Sequence, residues 1–126
     1  MAIKPASQIS LENNSIIQLI NSDIKEITLE IAKNLTAEVL DISENREYAL
    51  VFDMKEVIYA DTEARIYYRN TDLMKNIKAI AVVAENETAK LVAKVIFYSK
   101  KNFIPVEVFT KQADALQWIK NLSLVH

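Results

Sequence analysis

The stretch Tyr48–Ala64, YALVFDMKEVIYADTEA, decides the fold. It opens with a continuous apolar run, Tyr48 to Phe52, that stops at Asp53. A run without alternation predicts a strand buried on both faces, and hence a parallel or mixed sheet covered on both sides. After a short connection, Asp61-Thr62-Glu63-Ala64 begins a helical pattern. Acidic residues in a first helical turn complement the helix dipole. Strand, loop and helix start together mark the carboxyl edge of an α/β sheet, where ligands and partners usually bind.

Outward from this stretch the same alternation of periods continues. A second helix is expected from Asp61 to about Lys75, with Ala64, Tyr67, Thr71 and Met74 on its inner side. Ile77–Ala84, IKAIAVVA, reads as the next buried strand. Helix three is expected over Glu87–Lys101, with Ala89, Val92, Ala93 and Ile96 as its core stripe. Leu91, Val95 and Tyr98 form a second apolar row on that helix. Such a row meets a second subunit, an apolar ligand or more core. Pro105–Thr110 predicts a strand that begins at a proline or lies at an edge. Thr110 is placed to cap a last helix with Ala113, Leu116, Ile119 and Trp118 inward.

On the amino-terminal side, Ile31, Leu35, Val39 and Ile42 share one helical face, with Thr28 as N-cap and Glu44-Asn45 as the stop. Residues 21–27 read as a polar connection, and residues 8–20 as a hairpin around Asn13-Asn14. The element order is ββαβαβαβα, an α/β domain with a mixed, mostly parallel sheet, an N-terminal hairpin and helices packed against the sheet. One domain is expected to span residues 1–126.

Composition narrows the function. Fifteen basic and seventeen acidic residues give a net charge of −2, without the basic stripe that nucleic-acid binding needs. Lys94, Lys100 and Lys101 are too sparse to supply one. There is no cysteine, which excludes disulfides, thiolate metal sites and thiol nucleophiles and fits a cytoplasmic location. No apolar run approaches the ~20 residues of a membrane span. The chain has no glycine, so glycine-rich phosphate loops are absent and turns must rely on Asn, Asp, Ser and Lys. The only histidine is the last residue, His126, a poor place for a general base or metal ligand. No cofactor or metal is expected, and an enzyme is the weakest reading.

At this point the order of elements, Phe52-Asp53, Val57, Asp61-Thr62-Glu63-Ala64, Phe109-Thr110 and Ala115-Leu116-Gln117-Trp118-Ile119 carry a resemblance. The chain resembles the SpoIIAA-like fold family, home of the STAS domains of anti-sigma-factor antagonists and related to CRAL-TRIO lipid-binding domains. It looks most like small stand-alone bacterial members, over about residues 27–121. The resemblance implies regulation by protein contact through the loop after the central strand. In antagonists that loop carries Asp-Ser-Ser-Gly, and its second serine is phosphorylated. Here Asp61 matches the aspartate, Thr62 the first serine, Glu63 the phosphorylated serine and Ala64 the glycine. A carboxylate cannot accept phosphate, so the phosphorylation switch is expected to be missing, with Thr62 the one hydroxyl left.

The candidate partner-binding residues are therefore Asp53, Val57, Tyr59, Asp61, Thr62, Glu63 and Tyr68. Each has a structural alternative. Asp61 and Glu63 suit any helix start, and Asp53 suits local capping. Tyr67 is expected in the core, with Tyr59 and Tyr68 exposed. Arg65 and Arg69, four apart, are placed to hold an acidic group or to form a solvated face. Leu91, Val95 and Tyr98 are the candidate surface for a homodimer or an apolar, lipid-like ligand. The leading expectation is a non-enzymatic interaction module, and the alternative is a small carrier or sensor of an apolar ligand.

Overall fold

A computed structural model describes residues 7–12, 16–21, 24–44, 46–55, 57–70, 76–98 and 104–122. The elements are β1 (Ser7–Glu12), β2 (Ile16–Asn21), β3 (Glu26–Ile27), α1 (Leu29–Ser43), β4 (Tyr48–Lys55), β5 (Tyr59–Ala60), α2 (Thr62–Arg69), β6 (Ile77–Ala84), α3 (Glu87–Phe97), β7 (Val106–Phe109) and α4 (Gln112–Leu122). The main sheet has the order β1-β2-β4-β6-β7. β1 runs antiparallel to β2, and every other pairing in this sheet is parallel. The hairpin strands are thus part of the sheet, with Ile17 opposite Leu50 of β4. The proposed turn at Asn13-Asn14 lies outside the described residues.

The pleat of β4 builds two cores. Tyr48, Leu50, Phe52 and Met54 point to a larger core shared with α1, α2 and α3. Ala49 and Val51 join Ala79, Ala81 and Val83 of β6 against Ala115 and Ile119 of α4. Small residues line the α4 face, and the large ones face the three helices. This two-sided cover is what an unbroken apolar strand requires.

Several expectations are corrected. β4 continues past Asp53 to Lys55, with Met54 fully buried. Residues 21–27 are not simply polar, because Ile24 and Ile27 are buried and β3 pairs in parallel with β5 as a second, two-stranded sheet. Two residues are too short to show a period, so neither strand has a signal in the sequence. On α2 the inner pair is Ala64 and Tyr68, with Tyr67 only half-buried. Tyr68, expected outside, is 2% exposed. The described helix ends at Arg69, so Thr71 and Met74 lie outside the described residues. On α3, Phe97 joins the core and Val92 is half-buried. On α4, Ala115 rather than Ala113 packs inward, one turn from Ile119.

Caps follow side-chain chemistry. Thr28 Oγ1 accepts from Ile31 N–H at 3.2 Å, starting α1, and Asn86 Oδ1 accepts from Ala89 N–H at 2.8 Å, starting α3. The end of α1 is unusual. Glu44 closes it in the left-handed conformation, φ 50° and ψ 40°, which glycine would adopt without a Cβ clash. Glu44→Gly should therefore stabilise the fold by about 1 kcal/mol, read as a higher urea midpoint with unchanged slope. An unchanged or lower midpoint would show that no strain resides there. The exposed Arg46–Glu44 ion pair at 3.3 Å is worth too little to reverse that sign.

Candidate functional site

The loop after β4 is held at several points. Val57 N–H donates to the Met54 carbonyl at 2.9 Å, and the Val57 side chain is fully buried. Ile58 N–H donates to the Lys25 carbonyl at 2.8 Å, and Asp61 N–H to the Ile27 carbonyl at 3.1 Å. These bonds flank the β3–β5 pairing and fix the loop beside the sheet. Asp61 then caps α2, its Oδ1 accepting from Ala64 N–H at 2.8 Å. That bond satisfies one of the donors a helix start leaves unpaired. Arg65 Nη2 donates to Thr62 Oγ1 at 2.9 Å.

The candidate residues do not form one surface. Tyr59, Thr62 and Glu63 are exposed and Asp61 is half-buried. Val57 and Tyr68 are buried in the core. Asp53 is 3% exposed. It pairs in register with Val83, and alternation puts it on the face of Val51, the face covered by α4. It is thus remote in direction from Tyr59 and α2, which lie on the other face.

What the fold does bring together crosses the two candidate sets. Tyr59 and Ala60 of β5, Arg65 of α2, and Leu91, Val92 and Val95 of α3 line one open groove of about 200 Å³. Tyr59 is 48% exposed, Leu91 62% and Val95 42%. Ile58 and Ile66 are also exposed, on β5's approach and on α2. Tyr98, the third member of the α3 row, instead borders a more polar depression of about 420 Å³. There Lys90 and Lys94 face Glu107 and Asp114, a mixture that favours neither sign of ligand. The apolar row on α3 was readable by its spacing. Its meeting with Tyr59 was not, because the β3–β5 pairing that sets the loop there has no sequence signal.

Two buried hydroxyls add a chemical feature. The hydroxyls of Tyr48 and Tyr68 have no hydrogen-bond partner. Burial pushes both phenols well above the ordinary tyrosine value, and Tyr67 beside Tyr68 adds to the shift. They are thereby held neutral. Among the described residues no cluster of His, Cys, Asp and Glu is arranged to hold a metal, and no helix is long and apolar enough to cross a membrane.

The whole arrangement is similar to a solved structure, an uncharacterized protein of the DUF3478 family with a SpoIIAA-like fold from Shewanella loihica PV-4. The two share 16% sequence identity and superpose with a TM-score of 0.62, over 90% of this chain and 91% of that one. At that identity the likeness establishes the fold, which is SpoIIAA-like, and leaves activity open. No curated protein sequence matches the chain. Residues 9–123 match the family described as Domain of unknown function (DUF7793), and the chain belongs to that family.

Proposed function

We propose that the protein is a non-enzymatic regulatory module that works by binding another protein through the loop Val57–Asp61, the first turn of α2 and the outer row of α3. The observation that carries this reading is the convergence of exposed Tyr59, Leu91 and Val95 on one groove. Contiguous apolar surface rimmed by polar groups is characteristic of interaction sites, and tyrosine is enriched there. Glu63 supplies the regulatory part. It is exposed in the first turn of α2, and in sequence it matches the serine that is phosphorylated in the STAS domains the chain resembles. Its single fixed charge stands in for the about −1.5 to −2 of a phosphoserine, so binding is constitutive.

Affinity capture with the purified protein tests this. Glu63→Lys should weaken recovery of the partner about tenfold, the effect of about 1.4 kcal/mol at a charged rim. Asp41→Lys, an equally exposed change on α1, should leave it intact. Equal recovery with both variants would defeat the loop reading. A carrier of a small apolar molecule is the second reading, favoured by the apolar walls of the same groove. Native mass spectrometry showing a retained ligand of lipid size would decide for it.

A further inference from the structure

We infer that the groove between α2 and α3 receives an acidic–apolar segment of the partner, one large apolar side chain seated between Tyr59, Leu91 and Val95 and a neighbouring carboxylate on Arg65. This rests on the interaction reading above and adds the chemistry of what is bound.

Size comes first. About 200 Å³ falls below the roughly 300–1,000 Å³ of sites that enclose a whole small-molecule ligand. It suits a single side chain delivered by a longer chain. The walls select an apolar group.

Charge comes second. Arg65 lines the groove, yet its Nε–H is buried with no hydrogen-bond partner. Its Nη2 is engaged by the neutral hydroxyl of Thr62, and among the described residues no carboxylate pairs with it. A guanidinium so held is partly desolvated without a counter-ion. The guanidinium carries its charge without a counter-ion, and a carboxylate supplied from outside is the natural complement to the planar fork. The bond to Thr62 restrains the fork in advance, which lowers the entropy lost when an acid binds.

A second copy of this chain fits less well. A two-fold axis at the groove would set Arg65 of each copy against Arg65 of the other. A carboxylate of the partner meets the Arg65 charge with the opposite sign.

The test uses the intact protein and a capped peptide, Ser-Glu-Glu-Leu-Glu-Glu-Ser, followed by proton–nitrogen NMR. Twin peptides replace every Glu by Gln, or Leu by Ala. The expected result is saturable shifts at the amides of Tyr59, Leu91 and Val95 and at the Arg65 Nε–H. The acidic peptide should bind about tenfold tighter than the Gln twin, as expected for a charged hydrogen bond. Arg65→Gln should erase that preference, and Leu91→Asp should abolish binding of both peptides. Leu91 is exposed enough for that change to leave folding intact. Equal binding of the two peptides by the wild type, or no shift at the groove, overturns the inference. So does concentration-dependent broadening at Leu91 and Val95 without peptide, which would mean a homodimer. The Glu63→Lys protein should still bind the peptide, so failure of the loop reading and failure of the groove chemistry are told apart.

Discussion

Phe97→Ala is expected to destabilise the protein by about 3–5 kcal/mol, the range for deleting a fully buried aromatic side chain. Phe97 is 0% exposed at the end of α3. Its ring meets Phe52 of β4 edge-on, centroids 5.4 Å apart, and Tyr68 of α2 at 5.7 Å. One side chain thus ties α3 to the central strand and to the neighbouring helix. Each aromatic pair contributes about 0.5–1.5 kcal/mol beyond simple burial, so the upper half of the range is expected. A chain of this length has about 6–19 kcal/mol of stability in all, and the loss would be a large share of it. Urea denaturation should show a lower midpoint with an unchanged slope. Leu91→Ala, on the same helix but 62% exposed, should stay within about 0.5 kcal/mol of wild type. Similar losses for the two variants would mean that α3 does not face the sheet as described. The groove depends on this orientation, since Leu91 and Val95 can point outward only while Phe97 points in.

Phe97 also marks how far the sequence could be read. The central strand was legible because a run apolar on both faces has few other uses. α1 was legible because Leu35 and Val39 repeat at helical spacing, although Ile31 and Ile42 are only half-buried. Phase was harder. Ala64 is compatible with either Tyr67 or Tyr68 as its inner neighbour, at spacings of three and four. Packing against Phe97 selects Tyr68, a tertiary effect that periodicity cannot contain. The same ambiguity exchanged Ala113 for Ala115 on α4. For the site, Tyr59 and the Leu91–Val95 row each stood out singly as surplus apolar residues. Arg65 stands out in the sequence only through its spacing from Arg69, which is exposed one turn further on. What joins Tyr59 and Arg65 to α3 is the fixed path of the loop along β3. That path depends on backbone hydrogen bonds from Ile58 and Asp61, to which side-chain pattern is blind.

Above about pH 10 the protein should lose stability steeply, and Tyr48 and Tyr68 should account for a separable part of the loss. Both phenols are raised above the ordinary value of 10.0 by burial. Below that value both the folded and the unfolded chain keep the protons, and neither tyrosine makes stability depend on pH. As pH rises further, the unfolded chain ionises first and binds fewer protons than the folded one. Stability then falls by about 1.4 kcal/mol per pH unit for each tyrosine, until the folded state ionises too. For the pair this is of order 4 kcal/mol between about pH 10 and pH 12. Comparing wild type with Tyr48→Phe/Tyr68→Phe isolates it, because lysine and other alkaline titrations are common to both. At neutral pH the double variant should be at least as stable as wild type, since it removes two buried hydroxyls that lack a partner and a desolvation penalty with them. At alkaline pH its advantage should widen with each step. Parallel stability profiles across the range would mean that these hydroxyls reach water in the folded state, and that the core between α2 and the start of β4 is open. A widening gap would place both rings in the dry interior. It would also confirm that Tyr68 belongs to the core, leaving Tyr59 as the tyrosine of this region placed to meet a partner.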